Sequence, residues 1–226
     1  MIISTINRLI LKPASRWEQA WQSPFFRWSL ITAIFCLAYT ASQLPDFFEF
    51  VENRPGRYVR DILLAQLPAY DFSLPVFSIL YTSMAYVVIK GFQFPHIAWY
   101  LIIGYTILVL LRVVALYLFP LEPPADLIPL RDPFSEIFYG GIPRKKDLFF
   151  SGHAATMMWL WFSVREKVAK NLMFIGVVSL MIMLLFQHIH YTSDIVAGIL
   201  MAILLRIGLD HVFFKNKMLD WTPKSL

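Results

Sequence analysis

Residues 91–111 read GFQFPHIAWYLIIGYTILVLL, a run of 21 residues without an aspartate, glutamate, lysine or arginine. A helix needs about 20 mostly apolar residues to cross the hydrocarbon core of a bilayer. The run is continuously apolar, whereas the strands of a membrane β-barrel alternate apolar and polar residues. This stretch therefore predicts a membrane-spanning helix, which decides the fold class.

The composition of the whole chain agrees with a membrane protein. The 226 residues are 58% hydrophobic and 15% charged, with a mean hydropathy of +0.59, whereas soluble domains are about 45–50% apolar and about 25% charged. One membrane domain over residues 1–226 accounts for this length. The only cysteine, Cys36, excludes an intrachain disulfide and a cysteine-based metal site.

Similar apolar runs on either side of residues 91–111 predict an all-α, polytopic membrane protein built as a bundle of six transmembrane helices. Between the spans, two long connections at about residues 44–71 and 120–147 contain prolines, which mark turns. The predicted spans cover approximately residues 27–44, 72–91, 97–119, 148–164, 171–188 and 192–212.

The distribution of lysine and arginine predicts the orientation in the membrane. If the N-terminus lies inside, the inner segments hold eleven of these residues and the much longer outer connections hold seven. Basic residues concentrate on the cytoplasmic side of membrane proteins. Both termini are therefore expected in the cytoplasm and both long connections on the outer, periplasmic or lumenal, face. The net charge of +5 is explained in this way, without a nucleic-acid partner.

Five polar groups at the ends of predicted spans are candidates for function, because polar residues are costly near hydrocarbon. With the predicted topology, all five lie at the outer face. They are Ser151-Gly152-His153, the cluster His188, His190 and Asp194, and the single residues Arg112, Asp46 and Asp147.

The two histidine motifs point to phosphoryl chemistry. His190 and Asp194 are four residues apart, so on a helix they share one face, and a carboxylate there fixes the tautomer of the imidazole. His153 comes from another helix and is expected to face His190 across a gap. Histidines on opposite sides of a phosphorus atom suit a two-step displacement. The helix N-terminus after Gly152 would hold phosphate oxygens.

Other interpretations remain open from these residues. Three histidines and nearby acids could hold zinc, although the Ser-Gly-His motif offers no ligand pair at helical spacing. His188 is interpreted as structural. Arg112 is interpreted as a phosphate contact, since its planar fork grips two oxygens, and the alternative is an interfacial anchor that extends outward.

At this point the motifs resemble a family. Asp147-Leu148-Phe149-Phe150-Ser151-Gly152-His153 and His188-Ile189-His190-Tyr191-Thr192-Ser193-Asp194 look like the two signature motifs of the sphingomyelin synthase family. That family belongs to the wider type 2 phosphatidic acid phosphatase superfamily. Leu44-Pro45-Asp46, Arg112 and six spans with cytoplasmic termini resemble further family features. The family transfers a phospho-headgroup from a glycerophospholipid to ceramide and requires no metal.

The resemblance implies a role for each matched residue. His190 would be the nucleophile that forms a phospho-histidine-type intermediate, Asp194 would orient it, and His153 would protonate the leaving alcohol. No cofactor and no metal are implied. The implied partners are the bilayer and the phospholipid and lipid alcohol substrates, and a homo-oligomer stays open. The residues predicted to bind the substrate or its phosphate are Asp147, Ser151, Gly152, Arg112 and Tyr191.

Departures from the superfamily pattern bear on the reaction. The chain has no Lys-x6-Arg-Pro motif, and Met183-Leu184 stand where the phosphatases have Ser-Arg, which favours the synthase branch. Lys145-Lys146 replace a Cys-Gly pair of the synthases, and Ala154 replaces a threonine. The leading hypothesis is a lipid phosphotransferase. The alternatives are a lipid phosphatase or phospholipase C-like hydrolase that uses water, and, from another class, a membrane transporter.

Overall fold

The computed structural model describes residues 13–132 and 144–211, and this part of the chain contains seven α-helices, one short 3-10 helix (Leu64–Gln66) and no strand. The predicted positions of both termini, residue 212 of the last span and residues 133–143 of the second connection lie outside the described residues. The helices are α1 (Pro13–Gln22), α2 (Pro24–Asn53), α3 (Ser73–Gln93), α4 (Pro95–Leu118), α5 (Gly152–Ser163), α6 (Lys167–Phe186) and α7 (Thr192–Leu209).

Five of the described helices are long and apolar enough to cross a membrane, namely α2, α3, α4, α6 and α7. The sequence therefore predicted an all-helical membrane protein correctly. The remaining predicted span, residues 148–164, corresponds to α5, which has only 12 residues. At 1.5 Å per residue, α5 is about 18 Å long, shorter than the roughly 30 Å hydrocarbon core. The count of six spans is therefore not confirmed.

The first span extends further than its sequence indicated. The prediction that a long connection begins near residue 44 is wrong, because α2 continues through Pro45 to Asn53. A proline inside a helix removes a backbone hydrogen bond. Beyond it, Phe48 and Val51 are buried against Leu116 of α4, and this apolar contact helps to offset the loss.

The core of the bundle surrounds α5, which packs against α3, α4, α6 and α7. Met157, Trp159 and Leu160 of α5 are fully buried. The outer helices expose large apolar side chains instead, such as Leu172 of α6 and Leu204 of α7. This is the pattern of a bundle whose surface faces lipid and whose short helix α5 lies inside.

The two long connections meet at one end of the bundle. The amide of Arg57 donates to the carbonyl of Pro120 (2.9 Å), and the amide of Glu122 donates to the carbonyl of Arg57 (3.0 Å). The ends of α2, α4 and α6 and the starts of α3, α5 and α7 lie at this end, which we call the site face. At the opposite end, α1 contacts the end of α3 through Trp17, whose indole N–H donates to the carbonyl of Phe92 (2.8 Å).

Candidate active site

The start of α5 is fixed by Ser151, the residue that precedes the helix. Its buried hydroxyl accepts a hydrogen bond from the amide of Ala154 (3.4 Å), as a helix N-cap does. Its amide donates to the carbonyl of Asp194 in α7 (2.9 Å). A Cβ on Gly198 would lie 2.5 Å from the carbonyl oxygen of Ser151, so only glycine permits this approach. The first turn of α5, which carries His153, is thus fixed against α7.

His190 and Asp194 lie together at the start of α7. The Nδ1 atom of His190 is 3.7 Å from Oδ2 of Asp194, within ion-pair range but longer than a hydrogen bond. The side chains are 1% and 0% exposed, respectively. The four-residue spacing had suggested one face of a helix, whereas His190 actually precedes α7, which begins at Thr192. Asp194 reaches back over the helix N-terminus and also accepts from the amide of Tyr191 (3.1 Å).

His153 lies next to His190 although the two come from different elements. Their ring centroids are 6.2 Å apart with an interplanar angle of 59°. The ring of His153 also packs edge-to-face against the ring of Phe77 in α3, with the ring centroids 5.7 Å apart. Among the described residues, Nδ1 of each histidine is buried without a hydrogen-bond partner. Both imidazoles therefore keep hydrogen-bonding capacity that no described residue uses.

Arg112 of α4 holds the segment that leads into α5. Its Nη2 donates to Oδ1 of Asp147 (2.7 Å) and its Nη1 donates to the carbonyl of Phe150. The guanidinium lies against Gly152, where a Cβ would stand 2.8 Å from the Cζ atom. Its side chain is 14% exposed. Arg112 therefore points into the bundle end, and does not extend outward as an interfacial anchor.

A cavity of about 320 Å³ opens between α2, α3, α4 and α5. One part of its wall is apolar and includes Leu80, Met84 and Leu108. His190 does not line the cavity. A molecule with a polar head and an apolar chain matches this distribution. The polar part of the wall is formed by Tyr81, Arg112, Asp132, Arg144, Asp147 and His153.

Some of these cavity residues carry no motif that identifies them in the sequence. The hydroxyl of Tyr81 donates to the carboxylate of Asp132, and the ring of Tyr81 stacks on Phe77 at 5.5 Å. The guanidinium of Arg144 lies 3.8 Å from the ring centroid of Phe48. Their positions depend on how distant parts of the chain pack. Tyr81 lies in the middle of a predicted span, and Asp132 and Arg144 lie in the second connection.

Gln187, at the end of α6, is a further buried polar residue that the sequence reasoning did not identify. Its Oε1 accepts from the amide of Phe72, and its Nε2 donates to the carbonyl of Ile128 (3.2 Å) and to Oδ1 of Asp71 (3.2 Å). It thereby joins α6, the start of α3 and the second connection, three residues before His190. A polar residue at the end of an apolar span was the available signal.

Three residues of the sequence motifs lie elsewhere. Asp46 is exposed on α2. His188 is 5% exposed, with a φ of 53°, a backbone region in which histidine is one of the enriched residues. Its Nε2 has no hydrogen-bond partner among the described residues. Tyr191 is buried, and its hydroxyl donates to the carbonyl of Glu122 (3.0 Å). None of the three lines the cavity.

Ion pairing also fixes the connections. Lys146 donates from Nζ to Oε1 of Glu122 (2.9 Å) and to the carbonyl of Arg54 (2.9 Å). The Lys146 ammonium, followed by the amide of Gly56, holds the pKa of the Glu122 carboxyl below its usual range. Lys146 thus has a structural role.

No group of three or more His, Cys, Asp or Glu side chains in residues 13–132 and 144–211 is arranged to hold a metal ion.

Comparison with known families agrees with this site. Residues 146–212 match the family model described as PAP2 superfamily C-terminal. The matched segment includes both histidine motifs and covers less than a third of the chain. It supports membership of the type 2 phosphatidic acid phosphatase superfamily and, in general terms, a lipid phosphatase or phosphotransferase function. No curated protein and no solved structure matches the chain.

Proposed function

We propose that the chain is an integral membrane lipid phosphotransferase, similar in activity to sphingomyelin synthase. It would move a phospho-headgroup from a glycerophospholipid to a lipid alcohol such as ceramide. The observation that carries the proposal is the position of His153. It lines an amphiphilic cavity, and its ring centroid lies 6.2 Å from that of His190. His190 in turn lies beside Asp194.

The reaction proceeds in two displacements. First, Nε2 of His190 attacks phosphorus and the bond to the glycerol oxygen breaks. Protonated His153 gives its proton to that oxygen, which releases diacylglycerol and leaves the headgroup on His190. Second, neutral His153 takes the proton of the acceptor hydroxyl, and the acceptor oxygen bonds to phosphorus. The bond from phosphorus to His190 then breaks, so His190 is free again and His153 is protonated again.

Geometry supports these roles. A nucleophile stands about 3–3.5 Å from the atom that it attacks, and a proton donor stands about 2.6–3.2 Å from its acceptor. Because the ring centroids of His153 and His190 are 6.2 Å apart, one phosphoryl group between them would be within reach of both. Nδ1 of His190 faces Asp194, which leaves Nε2 as the attacking atom. The carboxylate of Asp194 stabilises the positive charge that His190 develops. Because His190 is buried, the headgroup reaches it only when side chains at the cavity wall move.

The cavity suits a lipid that enters from the bilayer. Acyl chains leave hydrocarbon only at a cost of about 0.8 kcal/mol per CH₂, so they would lie along the apolar wall near Leu80 and Leu108. The negative phosphate would meet the guanidinium groups of Arg112 and Arg144. Arginine suits this contact because its fork binds two phosphate oxygens. We further propose that the site face is the outer face of the membrane.

The proposal is tested with purified chain and a diacylglycerophospholipid labelled in its headgroup, with and without ceramide. Diacylglycerol should form faster with ceramide, together with a new labelled phospholipid. His190→Ala should abolish both products, and His96→Ala, a histidine at the opposite end of the bundle, should not. If diacylglycerol forms equally fast either way and free phospho-headgroup accumulates, water is the acceptor and the chain is a hydrolase. If wild type releases no diacylglycerol, the proposal fails.

A further inference from the structure

Asp61, in the connection between α2 and α3, contacts the second histidine motif although it lies far from it in sequence. Its Oδ2 accepts from the amide of Thr192 (2.6 Å), and its Oδ1 accepts from the hydroxyl of the same residue (3.1 Å). Oδ1 also accepts from the amides of Leu63 (3.1 Å) and Leu64 (3.0 Å). One carboxylate thus joins the short 3-10 helix of the first connection to the first residue of α7.

Two carboxylates, those of Asp61 and Asp194, accept hydrogen bonds from different donors at the start of α7. The first amides of a helix lack acceptors within the helix, and negative charge is favourable there. Asp61 takes both the amide and the hydroxyl of Thr192, while Oδ2 of Asp194 accepts from the amide of Tyr191 (3.1 Å). Because both donors of Thr192 already bind Asp61, the carboxylate of Asp194 stays directed toward the residues before Thr192. There its Oδ2 lies 3.7 Å from Nδ1 of His190.

The N-terminal end of the segment 188–191, which contains His190, is held by Gln187, independently of Asp61. Gln187 is fully buried and binds the start of α3 and the second connection, and its carbonyl accepts from the amide of Ile128 (3.1 Å). The chain from residue 188 to residue 191 is therefore suspended between Gln187 and Thr192. Since Nδ1 of His190 has no hydrogen bond of its own among the described residues, the ring depends on these two anchors for its position.

We propose that Asp61 is a positioning residue of the candidate active site, which acts by holding Thr192 so that Asp194 stays oriented toward His190. The inference rests on the proposed function of His190 as the nucleophile. It assigns a role to the first long connection, which shares no motif with the histidine segments. The connection supplies a contact that the second motif needs.

The first test compares Asp61→Asn with Asp126→Asn, the same change at an exposed acid on the site face. Asparagine retains the shape but replaces one accepting oxygen with an NH2 group. It therefore cannot accept from the amide of Thr192 on one side and from the amides of Leu63 and Leu64 on the other. A misplacement of about 1 Å can cost about 100-fold in rate, and we expect kcat to fall about 10- to 100-fold in Asp61→Asn while KM stays within about twofold. Thr192→Ser, which retains both donors, should remain close to wild type.

The second test asks whether Asp61 acts through Asp194. Groups that act as a unit have non-additive effects, so Asp61→Asn should lower kcat no further in a chain that already carries Asp194→Asn. The same fractional loss in both backgrounds would overturn the inference, because it would indicate a general structural role. A wild-type kcat in Asp61→Asn would also overturn it.

A readout that does not depend on turnover separates this inference from the proposed function. The imidazole resonances of His190, assigned by their loss in His190→Gln, should shift in Asp61→Asn and not in Asp126→Asn. If they shift in a chain whose wild type transfers no headgroup, the proposed function fails while the structural role of Asp61 stands. If they do not shift, Asp61 does not position His190.

Discussion

The amide of Ser151 donates a 2.9 Å hydrogen bond to the carbonyl of Asp194, and this bond joins the two histidine motifs through the main chain. His153 follows Ser151 by two residues, and Asp194 lies beside His190. The relative position of the two imidazoles is therefore set by the contact between α5 and α7 before any substrate binds. Such preorganisation is what a displacement with two catalytic groups requires.

The contact between α5 and α7 should be sensitive to a single methyl group. In Gly198→Ala the new Cβ would stand 2.5 Å from the carbonyl oxygen of Ser151, and a backbone atom cannot rotate away. We expect a loss of about 1–3 kcal/mol of stability and loss of turnover, measured by thermal unfolding in detergent and by headgroup transfer. Gly208→Ala on the same helix meets nothing within 4 Å and should be neutral or slightly stabilising. Equal behaviour of the two variants would contradict this account.

The pairing of Glu122 with Lys146 should make the site face sensitive to acid. The folded-state pKa of Glu122 lies below its usual range because of the Lys146 ammonium and the Gly56 amide. A depressed pKa contributes stability above the unfolded value, about 4.3, and that contribution is lost as the pH falls through the folded value. The temperature at the midpoint of thermal unfolding should therefore decrease when the pH is lowered below about 4.5.

Substitution isolates this contribution. Glu122→Gln should unfold at a lower temperature than wild type at neutral pH and should lose less on acidification, because the titrating group is gone. Asp126→Asn, a change at an exposed acid in the same connection, should leave the pH dependence as in wild type. An identical acid profile in Glu122→Gln and wild type would show that this ion pair does not contribute.

The orientation proposed for the site face can be measured with single cysteines in a Cys36→Ser chain. Arg131 at the site face and Lys167 at the opposite end are both exposed. If the basic residues set the topology, a membrane-impermeant thiol reagent should label Arg131→Cys in intact cells and label Lys167→Cys only after permeabilisation. The reverse pattern would place the candidate active site on the cytoplasmic face.

Chelation tests the remaining chemical alternative to a histidine nucleophile. The proposed displacement uses two imidazoles and a carboxylate, so headgroup transfer should be unchanged by an excess of a divalent-metal chelator. The measurement is the initial rate of diacylglycerol release before and after dialysis against the chelator. Loss of that rate with recovery on addition of zinc would instead favour a metal-assisted reaction.

Much of the fold could be predicted because its cause is local in sequence. A continuous apolar run such as residues 91–111 predicts a spanning helix. Its residues 95–111 lie in α4, whereas residues 91–93 form the end of α3. The bounds of α2 and α5 could not be predicted in this way. Pro45 reads as a helix end, yet burial of Phe48 and Val51 extends α2 past it. Residues 148–150 are apolar, yet the contact of Arg112 with Phe150 and the contact of Ser151 with α7 hold this segment outside the helix.

The same distinction applies to the candidate site. The proximity of His190 and Asp194 could be predicted because they are only four residues apart, although the shared helix face that was assumed for them is wrong, since His190 precedes α7. The contacts of Asp61 and Gln187 could not, because Asp61 meets Thr192 across 131 residues of sequence and Gln187 meets Phe72 across 115. Such pairs follow from the way the connections fold over the bundle end. No residue period or motif encodes them.

Arg112 is the residue whose substitution best separates the two roles that its geometry allows. It donates to the Asp147 carboxylate at 2.7 Å and to the carbonyl of Phe150, and it also lines the cavity. Lysine is a point charge without the planar fork, so Arg112→Lys cannot make both contacts. We expect a loss of turnover of about tenfold or more, since a distortion of the segment before His153 would misplace the proposed proton donor. Arg60→Lys, at an exposed arginine of the site face, should be neutral.

A double-mutant cycle then assigns the cause of the loss. If Arg112 acts by holding its partner, Arg112→Lys and Asp147→Asn should show a coupling energy of about 0.5–3 kcal/mol, and inhibition by a free phospho-headgroup should be unchanged. If Arg112 binds the phosphate, the inhibition constant should rise instead, because a buried charge-assisted contact is lost. Both changes together would show that one guanidinium does both, since Arg112 holds the segment and also lines the cavity. Activity equal to that of Arg60→Lys would rule out both roles.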